Sequence, residues 1–311
     1  MAYDEPVMSN VFRQLFSAAH QAWFQQRRKS LRQRIQRQYG SSPDGEVREV
    51  LVFLENHEEL QLPSGMTPPY EWTKDYRAEN VSVEKDAGNG LLYVKVNGHQ
   101  VFFPRKATPA EVQRAVSIGQ MEQDKRSPHC YVGNGFNVDS GDVAVFIGAS
   151  DGLFCLSLID RLSKAYLFEP GSDWHEPLRA TFAPWGDKVE IVPLAAGSNN
   201  GDGRVSLDSF FKNRPFPNYI QVDVDGVERE VLDGARNLLR DATKLRLSLC
   251  TYHKRLDFQE FDHLLSGQGY TIHHSPGFFL IGVRMPYFRR GILYASRGVS
   301  RPASSARPVE R

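Results

Sequence analysis

From Asp142 onward, short apolar runs alternate with stretches of helical period. VAVFI, AYLFE, VEIVPL, YIQVDV and LRLSLC read as strands, and the segments around Leu153–Ser163, Val227–Leu239 and Phe258–Gln268 as helices between them. That order predicts a doubly wound α/β domain, a mostly parallel sheet with helices on both faces. Two later runs, YTIHHS and FFLIGVRM, flank Pro276-Gly277 and predict an antiparallel pair at one edge of the sheet. Upstream the rhythm differs. Phe12, Leu15, Phe16, Ala19, Trp23, Leu31 and Ile35 share one face of a long helix, and a shorter helix is expected over Glu46–Asn56, before a Pro-rich connection at residues 62–69. Asn97-Gly98 between two alternating runs predicts a tight hairpin, and Thr108-Pro109 opens a helix through Val112, Ala115, Val116 and Met121. The stretch from Ser296, rich in Ser, Arg and Pro, is expected to be disordered. The division expected is an accessory region over residues 1–115, the α/β domain over 116–295 and a tail over 296–311.

With 38 basic and 37 acidic residues in 311, no net field directs the chain to nucleic acid or an anionic membrane. The run RRKSLRQRIQR carries six positive charges in eleven residues, but it has no interleaved aromatics and reads as a solvated helix face, so no nucleic-acid partner is expected. Cys130, Cys155 and Cys250 are widely spaced with no CxxC pair, which reads as reduced core thiols. No long apolar stretch suggests a membrane span, and MAYDEPVMSN lacks the order of a secretory leader. A soluble, cytoplasmic protein is expected.

Candidate chemistry gathers at the carboxyl ends of the predicted strands, where open α/β sheets bind ligands. In VAVFIGASDG, Gly148 and Gly152 would let the strand-to-helix turn approach a ligand, and Glu169 follows 21 residues after Gly148, the spacing of a ribose-binding acid. GASDG lacks the middle glycine of GxGxxG, which argues against a nicotinamide-dependent oxidoreductase. YIQVDVDGVERE places Asp223, Asp225 and Glu228 beyond another strand, with Asp225 also suited to cap the next helix and Glu228 to favour its dipole. LCTYHK brings Tyr252, His253 and Lys254 to the same rim, and His129 in SPHCY could reach it from the other side. His273 and His274 lie on a predicted edge strand, away from this rim.

Taken together, GDVAVFIGASDGLFCLSL, AYLFEP, YIQVDVDGVEREVLDGA, LCTYHK and GYTIHHSPGFFLI resemble the FkbM-type family of S-adenosylmethionine-dependent methyltransferases. The resemblance covers roughly residues 121–297. It implies a class I methyltransferase, Rossmann-like fold of seven strands with the last one antiparallel. It also implies that Gly148, Ala149, Asp151 and Gly152 lie against the methyl donor, that Glu169 holds its ribose and that Asp223 faces the transferred methyl. Asp225 stands where the family's DxEGxE pattern has Glu, and Glu228 matches the final Glu; with Tyr252 they are expected to face the acceptor. The chain departs from the family at Phe146, where an acid normally precedes the IGA turn. Asp151 or Asp142 could compensate for it.

Methyl transfer to a hydroxyl requires alignment first and a base second. His253 is the first candidate base, with His129 and Asp223 as alternatives. A divalent metal bridging Asp223 and Asp225 is chemically open but not favoured, since strand alternation would turn the two acids to opposite sides. The expected function is O-methyl transfer to a small-molecule or glycan acceptor, whether a glycan, a glycolipid or a secondary metabolite. The rival is a methyltransferase fold that has lost catalysis and serves as a binding or scaffold protein, motivated by Phe146.

Overall fold

The computed structural model describes residues 31–57, 66–133, 135–281 and 285–299. The part of the long N-terminal helix read from Phe12 to Trp23, and residues 300–311 of the tail, lie outside them. So do parts of the Pro-rich connection and of FFLIGVRM. Residues 31–39 are helical. The elements that follow are α1 (Gly45–Asn56), β1 (Met66–Thr67), β2 (Glu84–Lys85), β3 (Leu92–Val96), β4 (His99–Phe102), α2 (Pro109–Glu122), β5 (Val143–Ile147), α3 (Leu153–Leu158), β6 (Lys164–Phe168) and α4 (Ser172–Phe182). Next come β7 (Val189–Val192), β8 (Ala195–Ala196), β9 (Arg204–Val205), α5 (Leu207–Phe210), β10 (Tyr219–Val222), α6 (Glu228–Asp233), α7 (Arg236–Asp241) and β11 (Leu245–Cys250). The chain closes with α8 (Asp257–Ser266), β12 (Thr271–His274), β13 (Phe279–Ile281), β14 (Phe288–Arg289) and β15 (Ile292–Arg297).

The main sheet has seven strands in the order β12-β15-β11-β10-β5-β6-β7. β5, β6, β7, β10 and β11 run parallel, whereas β15 is antiparallel to both its neighbours. This is the class I methyltransferase sheet, with the last strand reversed. The central strands are apolar throughout because both faces are covered. Alternate residues divide between two cores: Ala144, Phe146 and Leu167 pack beneath α2, α3 and the β3–β4 hairpin, and Val145, Ile147 and Phe168 pack against α5, α6 and α7. The hairpin turns at Asn97 (φ 52°) and Gly98 (φ 84°), both left-handed as this two-residue loop requires. Thr108 caps α2 through a reciprocal exchange with Glu111, and Pro109 opens the helix. The boundary drawn between residues 115 and 116 falls inside this helix.

Several expectations are corrected. The described part of FFLIGVRM does not pair with YTIHHS: β13 joins β1 and β14 in a separate sheet, and β12 pairs with β15. Ile292, Leu293, Tyr294 and Ala295 are buried on both sides and suit an interior strand. Leu280 and Phe288 instead enter a third core with Leu31, Ile35, Val50 and Leu54. The turn at Pro276-Gly277 is captured by this N-terminal layer, since Gly277 N–H donates to Glu46 at 2.8 Å and Phe278 N–H to Tyr70 Oη at 2.8 Å. Ser296 and Arg297 belong to β15 rather than to a disordered tail. The helix expected over Val227–Leu239 is two short ones, broken where a side chain at Gly234 would meet the Gly197 carbonyl at 1.9 Å. Within the basic run, Arg32 donates to the carbonyls of Leu54 and His57 at the C-terminal end of α1, so that charge is not simply solvated. All three cysteines are free and buried. Among the described residues no helix is long and apolar enough to cross a membrane.

Candidate functional site

Two clefts open side by side across the carboxyl ends of β5, β6 and β10. The first, about 230 Å³, lies between the GASDG turn and α2, with Phe146, Phe154 and Tyr131 among its walls. The second, about 500 Å³, runs from Phe168, Glu169 and Trp174 to Asp225 and Tyr252. Glu122, Gly148, Ser150 and Asp223 line both, so the clefts meet over the turn.

Glu169 is the first residue past β6, and its buried carboxylate is fixed by backbone donors. Ser150 N–H donates to Oε2 at 2.9 Å and Gly171 N–H to Oε1 at 2.7 Å. Each oxygen keeps a lone pair free for a ligand hydroxyl. The turn is tied to the same strand end by Gly148 and Ala149 N–H groups donating to the Phe168 carbonyl. Gly148 and Gly152 line the clefts, but the close approach that demands glycine is to the protein itself. A side-chain carbon at Gly148 (φ 81°) would stand 1.9 Å from the Asp223 carbonyl oxygen, and one at Gly152 would stand 2.7 Å from the Phe182 ring.

Asp223 follows the last residue of β10 and lies at the junction of the clefts. Tyr131 Oη donates to its Oδ2 at 2.6 Å, and His129 Nε2 lies 3.3 Å from the same oxygen. Burial works against the charge of Asp223, but the His129 and Tyr131 hydrogen bonds outweigh it and hold the carboxyl well below the usual range. His129 is buried, with Nε2 2.9 Å from Tyr252 Oη; burial opposes its charge, yet Glu122 and Asp223 raise its pKa. Tyr252 also lines the second cleft.

The acids after β10 do not divide by strand alternation, because Asp225 sits in a left-handed turn (φ 51°) with its side chain fully in solvent. It makes no helix cap. Glu228, expected to face the acceptor, lies at 1% exposure outside both clefts, accepting from His253 Nδ1 at 2.7 Å and from Gly226 N–H at 3.2 Å. His253, the first candidate base, lines neither cleft. Burial opposes its charge, but Glu228, Asp223 and Asp225 raise its pKa, which suits an imidazolium that fixes the loop more than a free base. Two sets of metal-type donors come within 4.8 Å among the described residues: His129, Asp223 and Cys250, and Asp223, Glu228 and His253. One nitrogen of each histidine is engaged in a hydrogen bond, His129 Nε2 with Tyr252 and His253 Nδ1 with Glu228.

Phe146 is buried at 1% exposure, edge-on to Phe154 with ring centroids 5.7 Å apart. The end of the first core strand therefore carries no acid. Asp142 cannot replace it, since it lies at the opposite end of β5, 2.7 Å from Arg246. Asp151 does line the first cleft, accepting from Leu153 N–H at 2.9 Å, and burial pushes its pKa up to about 6. That shift has a testable sign. A folded pKa above the unfolded value of roughly 3.9 means stability is fully present below pH ~4 and is lost as pH rises through ~6, by up to about 3 kcal/mol. The melting temperature of Asp151→Asn relative to the native chain is thus expected to rise between pH 4 and pH 7.5, whereas a constant difference would show that Asp151 ionises normally.

Sequence reasoning missed Glu122, Tyr131, Ser150, Gln221 and Trp174. Two had a signal: Ala115, Ile118, Gly119 and Glu122 share one helical face, and Gln221 is a polar residue inside an apolar strand, two before Asp223.

The sheet and its strand-end clefts define a class I methyltransferase fold. No protein-family model matches the chain, and no curated protein matches it. Among solved structures it is similar to methyltransferase FkbM from Methylobacillus flagellatus KT, at 19% identity and a TM-score of 0.44, over 60% of this chain and 54% of that one. The chain thus spans about half the length of that protein. It is also similar to an rRNA methylase from Streptococcus thermophilus (13%, TM-score 0.35, 51% and 89% covered). A third is a putative methyltransferase from Streptococcus mutans in complex with SAH (12%, TM-score 0.35, 51% and 90% covered).

Proposed function

We propose that the protein is an S-adenosylmethionine-dependent methyltransferase that methylates a hydroxyl of a glycan, glycolipid or secondary metabolite. The observation that carries the reading is Glu169: a carboxylate held by two backbone N–H groups at the second strand end, with lone pairs left over a cleft. That is the chemistry a ribose diol needs. The donor supplies a methyl group on a sulfonium. Glu169 would hold the ribose, Trp174 and Phe168 would shield the base, and Gly148 and Asp223 would border the reactive centre where the clefts meet.

The acceptor enters the second cleft beside Asp223, His129 and Tyr252. As its oxygen attacks, its proton passes to Asp223, which Tyr131 and His129 hold ionised and in place. Asp223's low pKa weakens it as a base but keeps it charged across the neutral range. The second reading, a non-catalytic binding protein, is favoured by Phe146, whose buried ring stands where the family has an acid. Isothermal titration separates the two. Micromolar affinity for S-adenosylmethionine and S-adenosylhomocysteine is the expected result, and absence of both would leave the scaffold reading.

A further inference from the structure

The first cleft holds polar groups that the described residues leave wholly or partly unpaired. Gln221 is 3% exposed on β10, reaches the cleft wall beside Phe146 and makes no side-chain hydrogen bond among the described residues. Glu122, at the end of α2, makes no side-chain hydrogen bond either, and its one ion-pair neighbour is His129, with Nδ1 3.8 Å away. Asp151 has a single backbone donor and no ion pair among the described residues. Burial raises the pKa of both acids, for Glu122 against the opposing pull of His129. With Asp223, the cleft gathers carboxylates that a positively charged ligand would complement. An extended ligand with its ribose at Glu169 would cross the junction at Gly148 and Asp223 and end here.

Resting on the donor reading above, we infer that Glu122 and Asp151 bind the α-ammonium of the methyl donor and Gln221 its carboxylate, in place of the strand-end acid that Phe146 displaces. Glu122 comes from the helix over the sheet rather than from the sheet itself. The chain therefore recognises the amino-acid end of the donor from above the turn. An amide donates to a carboxylate, and a carboxylate accepts from an ammonium, so each group meets its complement.

The test titrates the full chain with S-adenosylmethionine and with 5′-methylthioadenosine, which keeps the adenosine and lacks the amino-acid end. The native chain is expected to prefer S-adenosylmethionine. Glu122→Gln and Gln221→Leu are each expected to reduce that preference tenfold or more while leaving 5′-methylthioadenosine affinity within about twofold, which also certifies the fold. A preference unchanged in both variants overturns the inference. So does an equal loss for both ligands. If the native chain binds neither ligand, the donor reading itself falls. A native chain that binds both, with variants that behave like it, leaves the donor reading standing and removes only this subsite.

Discussion

Glu169→Ala is expected to weaken S-adenosylhomocysteine binding by about two to four orders of magnitude. The carboxylate would accept from two ribose hydroxyls, and hydrogen bonds to a charged group contribute about 1.5–3 kcal/mol each. Alanine also frees the Ser150 and Gly171 N–H groups, so the GASDG turn keeps the Gly148 and Ala149 bonds to the Phe168 carbonyl but loses the one through Ser150. Glu169→Gln separates the two effects. It keeps an oxygen for one backbone donor and loses the charge, so an intermediate loss of affinity with a native melting temperature is expected. Calorimetric titration with both variants reads the outcome. Affinity unchanged in Glu169→Ala would mean that whatever nucleoside binds here does not use this acid.

The second large effect is structural. Gly148→Ala places a methyl 1.9 Å from the Asp223 carbonyl oxygen at a φ of 81°. The left-handed backbone alone costs an alanine about 1–2 kcal/mol, and the contact is with backbone that cannot swing aside. A total loss of at least about 3 kcal/mol is expected, a fall in melting temperature of roughly 6–12 °C. Gly98→Ala supplies the control. Gly98 has the same handedness (φ 84°) with nothing within 4 Å of the added carbon, so it isolates the backbone cost. If Gly148→Ala melts no lower than Gly98→Ala, the turn is loose enough to move, and the site is less pre-organised than its hydrogen bonds indicate.

The strands that form the ligand rim were legible because burial on both faces leaves near-continuous apolar runs, and because chemistry collects where those runs stop. Glu169, Asp223 and Tyr252 could be named from that rule, and they come to one region with His129, which precedes the first core strand. The edge was misread because FFLIGVRM and ILYASR are both short and apolar, and local pattern cannot say which of two candidate strands wins a neighbour. The partner that decides it, α1 with Tyr70, lies more than 200 residues earlier. The orientation of His253 was not legible for a related reason: its Nδ1 turns to the Glu228 carboxylate, outside both clefts, and spacing along a loop does not report which side chains turn inward. Gly148 was identified for the wrong reason, since a glycine demanded by a neighbouring backbone and one demanded by a ligand look alike in sequence.

The third core also sets a timetable for synthesis. Its N-terminal members, Val47, Val50, Leu51 and Leu54, are completed by Leu280, Tyr287 and Phe288. The hydrogen bond from Gly277 to Glu46 spans 231 positions. At about 5–20 residues per second, the apolar face of α1 waits roughly 10–50 s on the ribosome for its cover. During that interval the apolar face of α1 lacks the cover it has in the folded chain, and β13 and β14, made late, supply it.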